Sequence, residues 1–555
     1  MSLELFERHR ALLDLALAAT ATRTGFTAHP EESPDAEAVL EAEAREAFAN
    51  YCGSYFYLDQ PGVGERIGGE RSPYASNLEI QYPKTNLNTI LPAAARAREA
   101  WRRFSLDERA GICLEILHQL HIRSREIGLA TMHTTGAPRE LALRQGALLA
   151  QDRALEVLAM AYQEMRGVPA KSGAADPRFP GEVVLARRWR LEGLGVGLVV
   201  GCSTQPTLRA YPGIFANLVT GNSVVVKPHP QAVLPLAITV GVARHVIKEA
   251  GGDPNLVTLV VDDASRPLAQ SIALRPEVRI VDYTGNGDFG AWLLENARHA
   301  RCHVFGGAVN PAIIDSTADL AGTIASVVRS ICEFGGRMCT STRVMFVPRE
   351  GISTPEGMVD LDRFAELLEL EFRRQLGDDL LAARLLGAMR EGEYKALVLG
   401  ACAVGEVLVE SRTFEHPEFP GAQVCTPAVV KLKAEDRGVW MREWFGPVAF
   451  LVECESTADA ISLAAATART QGALNAMLFT LDAGVRAAVE DAFTEVGATL
   501  CVNFSQEQSV NDELPFCDYH GPGINPAGNA TVCDAAFVSN RFRVVGDRVL
   551  GSARR

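Results

Sequence analysis

Cys339 lies in the segment GGRMCTSTR, residues 335–343, whose composition could make a thiol nucleophilic. Cysteine attacks carbon as the thiolate, and a nearby cation or backbone N–H groups lower the pKa of the thiol. Arg337 precedes the cysteine by two residues, and Gly335 and Gly336 allow the backbone to bend close to the sulfur. Eleven other cysteines are scattered along the chain, so the alternative for any one of them is a small buried apolar side chain.

A second segment, GNSVVVKPHP, has residue types suited to a dinucleotide. A predicted buried strand ends at Lys227, whose ammonium group could reach ribose hydroxyls or a phosphate. Pro230 stands where NAD-specific sites often have an acid for the ribose 2′-hydroxyl, and His229 is its neighbour. This pattern leaves room for a 2′-phosphate and favours NADP. A solvated strand end explains Lys227 equally well when the segment is considered alone.

Two further segments suggest contacts with a cofactor. VDYTGNGDFGAWLLENA runs from a strand into a helix, with Gly285 and Gly290 at the turn, and a helix N-terminus suits a phosphate. In REWFGPVAF, Glu443 could accept ribose hydrogen bonds and Phe445 could press on a flat ring. The alternatives are a plain strand–turn–helix connection for the first segment and a loop with core aromatic residues for the second.

The elements that must position these segments alternate between strand-like and helix-like patterns from residue 182 onward. Such alternation predicts an α/β fold with doubly wound parallel sheets, in which ligands lie at the carboxyl ends of the strands. We expect a helical extension over residues 1–80 and a Rossmann-like cofactor-binding domain over 81–310, with an oligomerisation hairpin at about 175–195. A second α/β domain, the catalytic one, would cover 311–500, and 501–555 would return to the cofactor domain and end in an oligomerisation tail.

The bulk properties exclude several classes of function. With a net charge of -14 over 555 residues, the chain is a poor candidate for binding nucleic acid, which requires an excess of Lys and Arg. It has no apolar run of the roughly 20 residues that span a membrane, and no signal-peptide pattern at its start. We predict a cytoplasmic protein with reduced thiols, no membrane or nucleic-acid partner, and no metal site.

Taken together and in this order, the four segments resemble those of the aldehyde dehydrogenase superfamily. KPHP resembles its Lys-Pro-Ser-Glu segment, GNGDFG its Gly-x-x-x-x-Gly turn, GGRMCTSTR its Gly-Gln-x-Cys loop, and EWFGP its Glu-x-Phe-Gly-Pro. The resemblance covers the chain from about residue 80 to its end. The extension and RSPYASNLEIQYP look most like the PaaN group, the aldehyde dehydrogenase-like proteins of phenylacetate degradation.

This resemblance implies an aldehyde dehydrogenase-like fold with a β-arm for oligomerisation, and a covalent mechanism. The thiolate of Cys339 would attack an aldehyde, hydride would pass to NADP or NAD, and water would hydrolyse the thioester to an acid. By position, Lys227 and Glu443 would hold the riboses and Phe445 would brace the nicotinamide. Gly285 and Gly290 would lie along the pyrophosphate.

Two positions depart from the family pattern. The asparagine that stabilises the oxyanion is replaced by Thr204, whose hydroxyl is a different donor. The glutamate that serves as general base falls at Val304 or Phe305, so no carboxylate stands there. Glu333, six residues before Cys339, is our hypothetical substitute base, and a surface acid at a helix end is the alternative.

The leading hypothesis is therefore an NAD(P)-dependent aldehyde dehydrogenase. Its substrate would be a ring-opened semialdehyde from aromatic catabolism, possibly linked to coenzyme A. An alternative is an acylating enzyme that passes the acyl group to coenzyme A, since such enzymes lack the base. A second alternative is a non-catalytic relative that binds a cofactor or serves in assembly. We expect a homodimer or homotetramer.

Overall fold

The N-terminal region packs into the body of the protein. The computed structural model describes residues 2–28, 34–175, 183–390, 392–505 and 509–552. Two helices, α1 (Ser2–Thr22) and α2 (Pro34–Tyr51), precede an antiparallel pair, β1 (Val63–Ile67) and β2 (Tyr82–Thr85). The sequence suggests a loop where β1 lies, because this mostly exposed strand has no apolar alternation and depends on its pairing with β2.

A group of helices follows and covers the first parallel sheet. Its members are α3 (Leu87–Trp101), α4 (Leu106–Ile122), α5 (Ser124–Thr135), α6 (Arg139–Leu143) and α7 (Ala150–Arg166). A single π-helical turn, Arg144–Leu149, interrupts what the sequence predicts as one continuous helix from α6 to α7. Leu5 and Phe6 of α1 share one apolar cluster with these helices and with the helices of the first sheet. The extension and the following region therefore have a common core.

The first parallel sheet has five strands. An antiparallel pair, β3 (Lys171–Ala175) and β4 (Val183–Gly193), precedes it. The sheet strands are β5 (Val196–Val200), β6 (Ser223–Lys227), β7 (Val257–Leu259), β8 (Val278–Thr284) and β9 (Arg301–Phe305), in the order β7-β6-β5-β8-β9. The helices between them are α8 (Pro206–Val219), α9 (Leu234–Glu249), α10 (Ala269–Ala273) and α11 (Gly287–Asn296). The strands β5, β6 and β8 are almost entirely buried, as expected for a sheet covered on both faces.

The second sheet has seven strands, in the order β14-β17-β18-β11-β10-β19-β20, and only the β14–β17 pairing is antiparallel. The strands in this half of the chain are β10 (Asn310–Ile314), β11 (Thr342–Pro348), β12 (Ile352–Thr354), β13 (Gly357–Val359), β14 (Glu406–Val409), β15 (Thr413–Glu415), β16 (Gln423–Cys425), β17 (Ala428–Lys433), β18 (Val448–Cys454), β19 (Asn475–Phe479) and β20 (Thr499–Val502). The helices are α12 (Leu320–Cys332), α13 (Leu361–Leu376), α14 (Asp379–Leu386), α15 (Lys395–Cys402), α16 (Arg437–Trp440), α17 (Thr457–Gln471) and α18 (Ala483–Val496).

The C-terminal segment returns to the first sheet. It ends in α19 (Ala535–Ser539) and β21 (Phe542–Ser552), and β21 pairs antiparallel with β4 in a three-stranded sheet of order β21-β4-β3. No helix in the described ranges is long and apolar enough to cross a membrane.

A buried ion pair fastens this segment to the first sheet. Arg541 is fully buried, and its Nη1 donates to Asp282 Oδ2 of β8 at 2.8 Å. His303 Nδ1 of β9 lies 3.3 Å from Asp282 Oδ1, and Asn217 Nδ2 donates to Oδ2 at 3.0 Å. Burial alone would raise the pKa of Asp282, but the charge and hydrogen bonds of Arg541 outweigh it and hold that pKa far below its usual range.

We expect Asp282→Asn to lower the free energy of unfolding by about 3–5 kcal/mol, because it leaves a buried guanidinium without its countercharge. Urea unfolding at pH 7 measures this effect. Since folding depresses the pKa of Asp282, its stabilisation is present above the unfolded value of about 3.9 and is lost as the pH falls below it. Asp547→Asn removes the partner of Arg190 in an exposed pair and should cost about 0–1 kcal/mol. Equal losses in the two variants would contradict the prediction.

Candidate active site

A tight turn delivers Cys339 to the beginning of the central strand β11. After α12 the chain passes through Phe334, Gly335 and Gly336, which have φ angles of 54°, 58° and 68°. A Cβ on Gly336 would lie 2.3 Å from the backbone oxygen of Gly446, so only glycine fits at this point. Asn310 of β10 fixes the next residues by donating to the backbone oxygen of Cys339 at 2.8 Å.

The sulfur of Cys339 touches a cation that the sequence did not reveal. Arg209 Nη2 of α8 donates to Sγ at 3.2 Å, and Gln205 Oε1 lies 3.8 Å from the sulfur. Burial raises the pKa of the Cys339 thiol, Arg209 opposes this rise, and Glu513 adds to it. All twelve cysteines are free, but among the described hydrogen bonds only Cys339 accepts one from a charged side chain. This contact distinguishes it from the others.

Arg337 is not the cation that the sequence suggested. Its buried guanidinium donates to five backbone oxygens, those of Phe334, Thr135, Gly136, Leu386 and Ala388, at 3.0–3.3 Å. The left-handed turn at residues 334–336 directs this side chain into the protein, away from a role at the sulfur. Arg337 therefore holds the turn that carries Cys339, and Arg209 supplies the positive charge.

Thr204 and Gln205 precede α8 at the carboxyl end of β5. Thr204 is half-buried, and none of the described hydrogen bonds joins it to Cys339. Gln205 is the neighbour of the sulfur, and its Nε2 donates to Gln145 Oε1 of the π-helical turn at 2.6 Å. The predicted role of Thr204 as oxyanion donor stays a prediction, while Gln205 is a residue at the site that counting along the family pattern missed.

Glu333 is buried and fully engaged. Ser509 Oγ donates to its Oε2 at 2.8 Å, Asn511 Nδ2 donates to the same oxygen at 3.1 Å, and Arg144 Nη2 lies 3.4 Å from Oε1. It is not the surface acid of the alternative interpretation. Both oxygens have donors, however, and no described contact joins Glu333 to Cys339, so these contacts favour a structural role over that of a base.

Glu443 and Phe445 lie near the loop that follows β9. Glu443 Oε1 accepts from the backbone N–H of Ala308 at 3.2 Å, and a Cβ on Gly307 would lie 2.0 Å from its Oε2. Burial raises the pKa of Glu443, and Arg343 opposes the rise. The guanidinium of Arg343 lies 5.5 Å from the ring centroid of Phe445. Ala308 belongs to a small apolar cluster that packs against Cys339, so this predicted pair lies close to the nucleophile.

Lys227 and His229 lie at the carboxyl end of β6, as predicted. Lys227 Nζ is 2.7 Å from Oδ1 of Asp262, which follows β7, and both side chains are buried. Asp262 Oδ2 accepts from the backbone N–H of Leu268 at 2.7 Å, while Oδ1 has no aligned hydrogen-bond donor in the described residues. Burial, reinforced by Lys227, lowers the pKa of His229 to about 4, so this imidazole is neutral at pH 7.

Gly285 and Gly290 flank the N-terminus of α11. A Cβ on Gly285 would lie 2.2 Å from the hydroxyl oxygen of Tyr283, and one on Gly290 would lie 2.6 Å from Cγ1 of Val304. These close approaches give both glycines a packing role whether or not a pyrophosphate lies alongside. Asn286 caps the helix by accepting from the backbone N–H of Phe289 at 2.9 Å.

The arrangement fits a dinucleotide at the first sheet with its reactive end near Cys339. Asp262 Oδ1, which faces Lys227 Nζ, can also accept from a ribose hydroxyl, and the absence of a side chain at Gly307 makes room for the Glu443 carboxylate. Within the described ranges, no three His, Cys, Asp or Glu side chains are grouped to hold a metal ion.

Comparison with known proteins agrees with this geometry. Residues 80–535 match the family described as the aldehyde dehydrogenase family. The chain is 24% identical to the alpha-ketoglutaric semialdehyde dehydrogenase of Bacillus subtilis over 439 residues, which is 78% of this chain and 84% of that protein. It is 27% identical to the N-succinylglutamate 5-semialdehyde dehydrogenase of Paraburkholderia xenovorans over 319 residues, 57% of this chain and 59% of the relative.

A crystal structure of an NAD-dependent aldehyde dehydrogenase from Burkholderia multivorans superposes with a TM-score of 0.97 at 40% identity, covering 99% of both chains. The predicted fold class is confirmed by this likeness. With 456 matched positions, from 80 to 535, in a chain of 555, the protein belongs to the aldehyde dehydrogenase family.

Proposed function

We propose that this NAD(P)-dependent aldehyde dehydrogenase oxidises a semialdehyde to the acid through a covalent adduct on Cys339. The observation that carries the proposal is the 3.2 Å contact between Arg209 Nη2 and Cys339 Sγ. A thiol in this position meets a buried positive charge that stabilises its thiolate form, which is the nucleophile.

Several residues of this chain contribute to the proposed reaction. The thiolate of Cys339 forms a bond to the aldehyde carbon, and Arg209 and the backbone around the turn lie where charge develops on the oxygen. When bound, the nicotinamide cofactor would supply the hydride acceptor. Glu443 and Lys227 hold the ribose hydroxyls, Phe445 supports the ring, and Gly285 and Gly290 allow the close approach of the pyrophosphate. Cleavage of the resulting thioester then frees the sulfur.

For the substrate, we propose a ring-opened semialdehyde from aromatic catabolism, either free or carried by coenzyme A. The support is the resemblance of the N-terminal region to the PaaN group and the names of two relatives, both of which are semialdehyde dehydrogenases. An acylating reaction with coenzyme A is the second candidate, because Val304 and Phe305 leave the family's base position without a carboxylate. A non-catalytic role is less compatible with a charged partner at the sulfur.

We propose NAD as the preferred cofactor, in place of the NADP that the segment KPHP suggested. His229 is uncharged at neutral pH because its pKa lies at about 4, so it offers no positive charge to a 2′-phosphate. The Asp262 carboxylate beside Lys227 would repel that phosphate and can accept a hydrogen bond from a 2′-hydroxyl. The 40% identical relative is described as NAD-dependent.

The sheet β21-β4-β3 supports the proposed homodimer or homotetramer. Its strands β3 and β21 lie at the edges, and their unpaired backbone groups can continue a sheet of a second copy. The net charge of -14 and twelve free cysteines agree with the proposed cytoplasmic location.

Replacing the nucleophile tests the proposed reaction. We expect Cys339→Ala to lower kcat for aldehyde-dependent NADH formation at least about a thousand-fold, because no other group forms the covalent adduct. Cys501→Ala, a change at another half-buried cysteine, should leave the rate unchanged. Assays with and without coenzyme A, with the product identified by mass spectrometry, separate hydrolysis from acylation. Turnover that survives in the Cys339 variant would refute the proposal.

Removing the cation tests how Cys339 is activated. Arg209 favours the thiolate, so we expect Arg209→Met to raise the pKa of Cys339 further. The pH dependence of iodoacetamide labelling at Cys339, followed by peptide mass spectrometry, measures this shift toward higher pH. Arg442→Met, at an arginine that stacks on Trp444, should leave the profile in place. An unmoved profile in the Arg209 variant would assign the activation to another group.

Titration of the cofactors tests the role of Asp262. We expect Asp262→Asn to shift the ratio of the Kd values for NADP and NAD at least about ten-fold toward NADP, because it removes a negative charge that opposes the 2′-phosphate. Quenching of protein fluorescence gives both Kd values. Asp263→Asn changes the adjacent aspartate, which makes only local contacts with Ser265 and Arg266, and should keep the wild-type ratio. Tighter wild-type binding of NADP than of NAD would contradict the assignment.

A further inference from the structure

A carboxylate from the C-terminal segment contacts Arg209, and an imidazole from the same segment contacts this carboxylate. Glu513 Oε2 lies 3.7 Å from Arg209 Nη1 and 3.3 Å from Arg153 Nη2. Glu513 Oε1 forms a short hydrogen bond with Nδ1 of His520. His520 is almost fully buried. The group that contacts the sulfur of Cys339 is thus in direct contact with a Glu–His pair.

The backbone places His520 against the strand end where the family's carboxylate is missing. Val532 donates its N–H to the backbone oxygen of His520 at 2.7 Å, and Asn529 donates to the oxygen of Val304 at 3.1 Å. The rings of His520 and Phe305 have centroids 5.7 Å apart. His520 therefore lies beside the position from which the expected base was lost.

A small cavity lies between this imidazole and Arg209. Its volume is about 10 Å³, and its walls include His520, Arg209, Thr284 and Phe305. Roughly this volume, with two to four polar neighbours, accommodates one water molecule. Four of the eight wall residues have polar side chains, so the space suits a single water next to the cation at Cys339.

The protonation of the pair suits a proton acceptor. Burial lowers the pKa of His520, Arg209 lowers it further, and Glu513 opposes both effects. His520, with its pKa lowered, is neutral at pH 7 and donates its Nδ1 proton to Glu513. Burial alone would raise the pKa of Glu513, but the charge of Arg209 and the hydrogen bond from His520 hold it far below its usual range. In that tautomer Nε2 bears the lone pair, and none of the described hydrogen bonds occupies it.

We propose that His520, oriented by Glu513, is the general base that activates water for hydrolysis of the Cys339 thioester. This inference rests on the proposed function and assigns the step for which the family pattern leaves no residue. Nε2 of His520 takes a proton from water as the water oxygen forms a bond to the thioester carbon. Collapse of the tetrahedral adduct breaks the carbon–sulfur bond, which releases the acid and the Cys339 thiolate. The proton on His520 then passes to solvent.

An activated ester tests this step without any cofactor. Attack of Cys339 on p-nitrophenyl acetate forms the thioester and releases nitrophenolate in a burst, and the steady phase that follows reports hydrolysis of the thioester. We expect His520→Asn to keep a burst of one equivalent while lowering the steady rate about 10²–10⁴-fold. The acetylated enzyme should then accumulate in intact mass spectra, and added hydroxylamine should restore release.

Two further variants make the result specific. Glu513→Gln keeps the shape of the side chain but removes the charge that orients His520, and it should slow the same phase without loss of the burst. If His520→Asn does not fold, the steady rate of Glu513→Gln tests the role of the pair instead. His416→Asn, at another buried histidine with a lowered pKa, should leave both phases unchanged.

The outcomes separate this inference from the proposed function. A wild-type steady rate in a folded His520→Asn or Glu513→Gln variant overturns the role of the pair. Loss of the burst in a folded variant also overturns it, because the pair then acts in acylation. If the wild-type thioester resists water but reacts with coenzyme A, the inference fails while Cys339 keeps its role. A burst that persists in Cys339→Ala would instead defeat the proposed function.

Discussion

The contact between the half-buried thiol of Cys339 and the largely buried guanidinium of Arg209 sets the conditions for the whole site. Burial alone raises the pKa of the Cys339 thiol and disfavours a charge on Arg209, but each group stabilises the charged form of the other across 3.2 Å. A lone cation would be costly at this depth, and Glu513 compensates for it at 3.7 Å. Glu513 also raises the pKa of the thiol. Because Glu513 lies farther from Arg209 than the sulfur does, the positive charge of Arg209 still stabilises the thiolate.

This arrangement explains why the C-terminal segment must return to the first sheet. Arg541 joins the segment to Asp282 through a fully buried ion pair, and Ala527 packs near Cys339. The part of the chain from Glu513 to Arg541, which includes Ala527, runs along β9. The second half of the protein therefore contributes both the nucleophile and the carboxylate that balances its cation, while the first half contributes the cation. The site forms only when both sheets and the tail are in place.

Local sequence patterns were sufficient for some of these features and not for others. The glycines before Cys339 and the lysine at the end of β6 could be recognised because their roles depend on neighbours within a few residues. Arg209 lies 130 positions before Cys339, and no short pattern links the two. Arg337 is close to Cys339 in sequence, which makes it the expected cation at the sulfur. The turn at residues 334–336 directs its side chain elsewhere.

The second sheet and the acid beside Lys227 show the same limit. β20, with the sequence TLCV, is only partly buried, and its short apolar pattern is a weak local signal for a strand. Asp262 lies 35 positions after Lys227, on the next strand connection, so the acid that faces the predicted ribose site was invisible in KPHP itself. Pairings across parallel strands depend on the order of the strands in the sheet, which a local pattern does not contain.

The loss of the family's carboxylate at 304 or 305 is consistent with the packing around β9. The rings of Phe305 and His520 have centroids 5.7 Å apart, and a Cβ on Gly521 would lie 2.7 Å from the ring of Phe305, so this ring packs closely against the C-terminal segment. A carboxylate there would lie close to Glu513, an unfavourable approach of two acids in a buried setting. The carboxylate of Glu513 lies in the C-terminal segment instead, where Arg153 and Arg209 neutralise it. Glu513 contributes the negative charge beside these two arginines, and the apolar side chain at 305 adds no second one.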